Sequence, residues 1–356
     1  MKKISVLLIG LLILSSAIFY QCKMENGRVT LDVNAKPFEK LSDYHFFIGK
    51  MSDLLPNGRV LPYDLLSTLF SDYAYKARFV WLPEGTSAKY SKDEALDFPV
   101  GAVLIKNFYY PHDFRDESKG RKIMETRLLV HRKDKWDALT YVWNDEQTEA
   151  TLEIAGDTKK VEWTDLQGAH REINYSVPNK NQCKNCHNLN DVLVPIGPKI
   201  RYLNRDLTYA DGKKNQLDKW VEMGYLTGYN KADNTSNKIA KWDDPNSGTL
   251  EERAKSYLEV NCAHCHRKEG SGNTSGLFLL LSDKNPESWG IMKSPVSAGA
   301  GSGNNLYDVV PGKPGESILV YRTESDDPEI RMPELGRSIA HAEAIILIKE
   351  WIADLK

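Results

Sequence analysis

Hydrophobic and polar positions follow three different rhythms along the chain. Residues 4–20 form an apolar run broken only by Gly10 and Ser15-Ser16 and preceded by Lys2 and Lys3. Its length and basic flank match an export-signal core, with an uncleaved anchor helix as the alternative. From about residue 24 to 175 the pattern shortens. The stretches 78–82, 102–110, 124–132, 138–143, 150–154 and 159–163 are rich in β-branched and aromatic residues. Turn residues such as Asn144-Asp145 and Gly156-Asp157 separate several of them, which predicts an antiparallel, sandwich-like domain. A short flanking helix is expected near 62–70. Helical spacing then takes over, with one helix over 215–223 and another starting at Thr249-Leu250-Glu251-Glu252, a capping box. Leu250, Ala254, Tyr257 and Leu258 continue that second helix. Ile345, Ile348, Trp351, Ile352 and Leu355 mark an amphipathic final helix.

Composition changes this picture little. The 356 residues suffice for two or three domains with buried cores. With 47 Lys plus Arg against 49 Asp plus Glu, the net charge is −2, and no basic excess points to nucleic acid as a partner.

The five cysteines say more. Four fall as Cys183-Lys184-Asn185-Cys186-His187 and Cys262-Ala263-His264-Cys265-His266. Both segments are Cys-x-x-Cys-His, the pattern of covalent c-type haem attachment. Spacing i, i+3 puts the two thiols on one side of a helical turn, where they add across the haem vinyl groups. The adjoining His187 or His266 then supplies the proximal iron ligand. A structural zinc site is the main alternative, but Cys186 and Cys262 lie 76 residues apart, against ~15–20 in zinc modules. Zinc also leaves the paired histidines unexplained. Two structural disulfides are a further alternative, disfavoured because vicinal Cys-x-x-Cys pairs are usually redox-active.

The odd cysteine is Cys22, just past the apolar core, where a bacterial lipoprotein carries its lipidated residue. Phe19-Tyr20-Gln21 depart from the small residues that such a site favours. Ser15-Ser16-Ala17 offers a competing cleavage site. Lipidation at Cys22 places the chain outside the cytoplasm and anchors it to a membrane.

Met332, 66 residues after His266 in the polar loop Arg331-Met332-Pro333-Glu334-Leu335-Gly336, is the candidate sixth ligand of the second iron. A thioether there favours reduced iron, and a polar loop is a poor place for a gap-filling core methionine. His264 is expected to be a solvent-facing spacer. Gly299-Ala300-Gly301-Ser302-Gly303 is read as a loop, since it lacks the Gly-Lys-Ser/Thr ending of a phosphate loop. His45, His112 and His131 are read as structural or surface residues. For the first iron, Met223 and His170 are the leading sixth-ligand candidates, and an open position is the alternative.

Residues 248–356 resemble an all-α class I cytochrome c domain. The likeness lies in Ala254-Lys255-Ser256-Tyr257-Leu258, Asn261-Cys262-Ala263-His264-Cys265-His266, Val310-Pro311-Gly312-Lys313-Pro314, Arg331-Met332-Pro333 and Trp351-Ile352. It implies Cys262 and Cys265 as attachment sites, with His266 and Met332 as iron ligands. Arg267-Lys268-Glu269-Gly270 stands where such domains usually place a proline soon after the histidine, which leaves the hydrogen-bond partner of His266 unassigned. The whole chain resembles a family of exported dihaem c-type cytochromes whose members often carry no assigned role. Leu61-Pro62-Tyr63-Asp64-Leu65, Lys76-Ala77-Arg78-Phe79-Val80, Glu125-Thr126-Arg127-Leu128-Leu129 and Asn181-Gln182-Cys183 bear this likeness.

The expected organisation is α+β and multidomain: a signal segment over 1–22, a mainly-β domain over 23–175, a first haem segment over 176–247, and the cytochrome domain over 248–356. Two covalent haems, and so two irons, imply single-electron transfer between redox partners of the periplasm or cell envelope. The alternatives are a peroxidase-like enzyme with an open first haem, and an electron-accepting subunit of a dehydrogenase.

Overall fold

Strands rich in Val, Ile, Leu and aromatic residues line up in chain order in the computed structural model, which describes residues 27–231, 238–296 and 298–356. The signal segment and Cys22 lie outside the described residues. Strands β1 (Leu61–Tyr63), β2 (Tyr75–Trp81), β3 (Val103–Pro111), β4 (Arg121–His131), β5 (Trp136–Trp143) and β6 (Ala150–Glu153) form one six-stranded sheet. Every neighbouring pair is antiparallel, with a bulge between Phe108 and Tyr109. A separate hairpin follows, β7 (Asp157–Thr164) and β8 (His170–Val177).

Side chains alternate across the pleat, so each strand feeds two cores. On one face Phe79, Val103, Ile105, Leu128 and Tyr141 pack on Leu41, Tyr44 and Phe46 from the segment before β1. On the other, Val80, Leu82 and Leu104 meet Ile200, Leu203, Leu217 and Trp220. Those residues come from helices α2 (Ile200–Leu203) and α3 (Gln216–Glu222), which follow the first cysteine motif on α1 (Lys180–Cys186). Farther along the same face Phe108, Tyr110 and Met124 pack on Val161, Trp163 and Tyr175 of the hairpin.

The expected sandwich-like arrangement is therefore corrected. A sandwich needs a second sheet, whereas here one face is covered by 3₁₀ turns and loops and the other by short helices and a hairpin. The expected helix near 62–70 is also absent, because Leu61–Tyr63 pairs with β2 as an edge strand. Beyond it, Asp64 is drawn into ion pairs with Arg78 and Arg205.

A second correction concerns residues 248–356. Three helices, α4 (Leu250–Cys262), α5 (Ile318–Glu324) and α6 (Ala342–Asp354), contribute 13, 7 and 13 residues. Between α4 and α5 the chain runs through turns and two β-bridges, Ile291 with Val309 and Tyr307 with Ser317. An all-α class I domain is not what this region adopts. Glycines at positive φ, among them Gly276, Gly290, Gly303 and Gly312, turn this connection repeatedly and interrupt helical hydrogen bonding. The helices still share a core in which Ala254 and Leu258 pack on Ala344, Leu347, Ile348 and Trp351. No helix among the described residues is long and apolar enough to cross a membrane.

Candidate haem-attachment sites

Helix α1 starts at a reciprocal cap. The Asn179 side chain accepts from the Gln182 N–H at 2.9 Å, and Gln182 Oε1 accepts from the Asn179 N–H at 2.8 Å. Such a cap is worth about 1 kcal/mol and starts a helix only two turns long. Lys180 pairs with Asp137 of β5 at 2.9 Å, which pins α1 against the sheet. His187 closes the helix, its N–H bonded to the Cys183 carbonyl at 3.0 Å.

The chain then reverses. Asn190 and Asp191, both at positive φ, turn between two-residue strands that pair Asn188 with Leu193 and Leu189 with Val192. Asn and Asp tolerate this left-handed conformation better than other side chains. The turn brings back Val194, whose N–H reaches the His187 carbonyl at 3.0 Å and whose carbonyl lies 2.9 Å from His187 Nδ1. Since a carbonyl can only accept, Nδ1 carries the proton and Nε2 keeps its lone pair. Loss of hydration pushes the His187 pKa down to about 4, so the ring stays neutral.

The second motif caps a longer helix. Thr249 and Glu252 form the expected capping box at the start of α4. At its far end the His266 N–H bonds the Cys262 carbonyl at 2.9 Å. His266 Nδ1 lies 3.2 Å from Ser275 Oγ, and that hydroxyl donates onward to the Gly272 carbonyl at 2.6 Å. With its hydrogen so committed, Ser275 accepts from Nδ1, which again leaves Nε2 free. Ser275 thus fills the role for which the sequence offers no proline. Gly270 is required here because a Cβ would lie 2.4 Å from the Cys265 carbonyl. Burial pushes the Cys262 thiol up to about 12 and the His266 ring downward.

The two motifs meet. Ser271 Oγ donates to the Asn185 carbonyl at 2.6 Å, and the Asn190 N–H reaches the Glu269 carbonyl at 2.9 Å. Arg267 forms a bidentate pair with Glu94 at 2.7 and 3.0 Å and also holds Glu269 at 2.9 Å. Ligand atoms of Cys186, His264 and Cys265 all lie within 4.8 Å of one another. Cys186 and Cys265 therefore compete for protons. The hydrogen bond between them lets one ionise readily and makes loss of the second proton much harder. His264 is not the solvent-facing spacer expected: its ring is half-buried against both sulfurs, and its Nδ1 is buried without a hydrogen-bond partner. A cleft of roughly 240 Å³ opens beside this junction, lined in part by Leu96, Phe98, Trp136, Val194 and Ile196.

Beneath the junction, Glu259 of α4 accepts from Arg201 Nε at 2.8 Å, Tyr202 OH at 2.6 Å and the Leu281 N–H at 2.6 Å. This buried carboxylate ties the second motif's helix to α2, downstream of the first motif.

Met332 is half-buried and belongs to none of the apolar clusters of the described residues. Its N–H reaches the Arg322 carbonyl at 2.9 Å, and the Arg322 charge acts on His266. Met223, by contrast, packs against the core around Trp220. His170 is exposed at the far end of β8, seven residues and roughly 23 Å of extended strand from Val177. His131 stacks on Trp136 at 4.5 Å with its Nδ1 on the Phe98 carbonyl, a structural role.

The residues present fit a tethered haem at each motif. At each motif two thiols precede an imidazole whose Nδ1 is hydrogen-bonded and whose Nε2 is left free. Sequence reasoning missed the Val194 carbonyl, Ser275 and the Glu259–Arg201 pair, none of which carries a local signal. It also gave no role to the charges of Lys106 and Arg127, which are set inside apolar strand runs. Comparison with protein-family models, curated proteins and solved structures yields no match for this chain.

Proposed function

We propose that the chain is an exported dihaem c-type cytochrome that passes single electrons between redox partners of the cell envelope. The carrying observation is the meeting of the two Cys-x-x-Cys-His segments, with Cys186 and Cys265 in contact range. Covalently held haem supplies a one-electron Fe(III)/Fe(II) couple. Cys183 and Cys186 would tether one group, Cys262 and Cys265 the other, with His187 and His266 as proximal iron ligands. Val194 and Ser275 hold those rings in the tautomer that leaves Nε2 free. Met332 would supply a further ligand to the second iron and so would close that metal to other ligands, as a carrier requires. Lipidation at Cys22 would keep the chain at a membrane, close to its partners. The near-neutral net charge favours docking through local patches.

A second reading, a peroxidase-like enzyme with an open first iron, is favoured by the packing of Met223 in the core around Trp220 and by the exposure of His170 on β8. Binding of carbon monoxide by one haem only would support it, whereas two closed haems support the carrier.

The decisive test is the intact mass of the chain matured in an exporting host with haem-attachment machinery. Two added haems support the proposal. No haem, with a metal ion at Cys186, His264 and Cys265 or with disulfides at the four cysteines, refutes it.

A further inference from the structure

The sheet face that looks toward α1 is apolar at both ends and basic in the middle. Val80, Leu82 and Leu104 occupy one end, and Phe108 and Tyr110 the other. Between them the register sets Arg78 directly opposite Lys106, and Lys106 directly opposite Arg127. Lys76 joins the same face two residues before Arg78. Four cations thus share one band.

Their compensation is incomplete. Arg78 holds Asp64 at 2.8 Å, but Asp64 is shared with Arg205 at 2.6 Å. Arg127 holds Glu125, which also accepts from Tyr175 OH at 2.5 Å. Among the described residues the side chains of Lys76 and Lys106 make neither a hydrogen bond nor an ion pair, and the Lys106 ammonium lies over the Phe108 ring at 4.6 Å. The Arg78 side chain is 3% exposed, yet its Nη2 is buried without a partner. Desolvation, with repulsion from Arg78 and Arg127, holds both lysines well below the ordinary lysine range. Such a band is costly unless an anion is added to it. It also adjoins the first motif: the charges of Lys106 and Arg127 act on His187, and that of Arg127 on Cys183.

We propose that Lys76, Arg78 and Lys106 form a carboxylate-binding site that receives the propionates of the haem tethered at Cys183 and Cys186. The inference rests on the haem reading above. It assigns the basic band to anchoring the polar edge of the group, opposite its thioether bonds, and to raising its reduction potential through nearby positive charge.

The test uses the full chain matured with both haems and its variants Lys76→Met, Lys106→Met and Lys106→Arg. Spectroelectrochemical titration resolves the two potentials, and intact mass reports haem content. Each Met variant should lower one potential and leave the other unchanged, whereas Lys106→Arg, which keeps the charge, should stay near the parent. Removing a half-buried ammonium that makes no hydrogen bond or ion pair should not unfold the chain, and thermal melts check this. Unchanged potentials in both Met variants with two haems attached would overturn the inference and leave the cytochrome reading standing. A parent potential that moves with added inorganic phosphate would assign the band to a free oxyanion and overturn the propionate assignment. Absence of haem from the parent would overturn both together.

Discussion

Replacing Glu259 by alanine removes a buried carboxylate that joins the helix of the second motif to the segment following the first. Glu259 and Arg201 have side chains 1% and 8% exposed, and their nitrogen–oxygen contact is 2.7 Å. Breaking such a pair strands a buried guanidinium, at a cost of about 3–5 kcal/mol. Asp93, 3.6 Å from Arg201 on the exposed side, relieves part of this. The lost acceptors for Tyr202 and the Leu281 N–H add about 1 kcal/mol each at most, not additively. The expected destabilisation is therefore about 3–4 kcal/mol. At about 2 °C per kcal/mol for a chain of this size, the melting temperature should fall by roughly 6–8 °C. Glu259→Gln keeps an acceptor and should cost about half as much. The double variant Arg201→Met/Glu259→Leu removes both charges and should recover most of the loss. Thermal melts by circular dichroism and urea titration measure all three. A Glu259→Ala loss below about 1 kcal/mol, or a double variant as unstable as Glu259→Ala, would refute the view that this pair locks the two motifs together.

Other predictions concern pH and the iron ligands. His341 is stacked on Phe70 at 4.1 Å and enclosed by Trp242 and Tyr257, and burial pushes its pKa down to about 4. Between about 4 and 6.5 the unfolded chain binds a proton that the folded chain refuses, so stability should fall by about 3 kcal/mol as the pH drops through that window. His341→Phe should flatten this dependence in urea titrations at pH 4.5 and 7, and an unchanged slope would discount the residue. Met332→Ala should lower the potential of one haem and open its iron to carbon monoxide; an unchanged potential would remove Met332 from the ligand set. Ser275→Ala deprives His266 Nδ1 of its acceptor, lowers the basicity of the ring and should raise the potential of that same haem, read by redox titration. A shift at the other haem instead would reverse the pairing of Ser275 with the second motif.

Local chemistry was legible in the sequence wherever neighbouring residues suffice to express it. Thr249 and Glu252 start α4 as their spacing requires, because a cap is complete within one turn. The runs at 102–110, 124–132 and 138–143 form β3, β4 and β5, since alternation and β-branching act along a single strand. The two cysteine motifs are recognisable for the same reason: each is finished within five residues. What covers a sheet face is a different matter. The apolar face of β2 and β3 is satisfied equally by a second sheet or by helices. The choice of α2 and α3 rests on Leu217 and Trp220, more than a hundred residues away along the chain. Over 248–356 helical spacing marked α4 and α6 correctly but said nothing of the turning connection between them. There, glycines at positive φ break local hydrogen bonding, and only packing against the helices decides the path.

Tertiary structure alone placed Val194 and Ser275 on the imidazoles, because each hydrogen bond depends on a turn closing at the right angle. It alone brought Cys186 to Cys265 across 79 residues of sequence, through the Glu259–Arg201 and Arg267–Glu94 pairs. It also gathered Lys76, Arg78, Lys106 and Arg127 into one band, since cross-strand register, invisible in any single strand, sets which charges must share a face. Sequence by itself determines the groups that can react. The fold decides which of them meet, because burial and register are properties of the assembled chain.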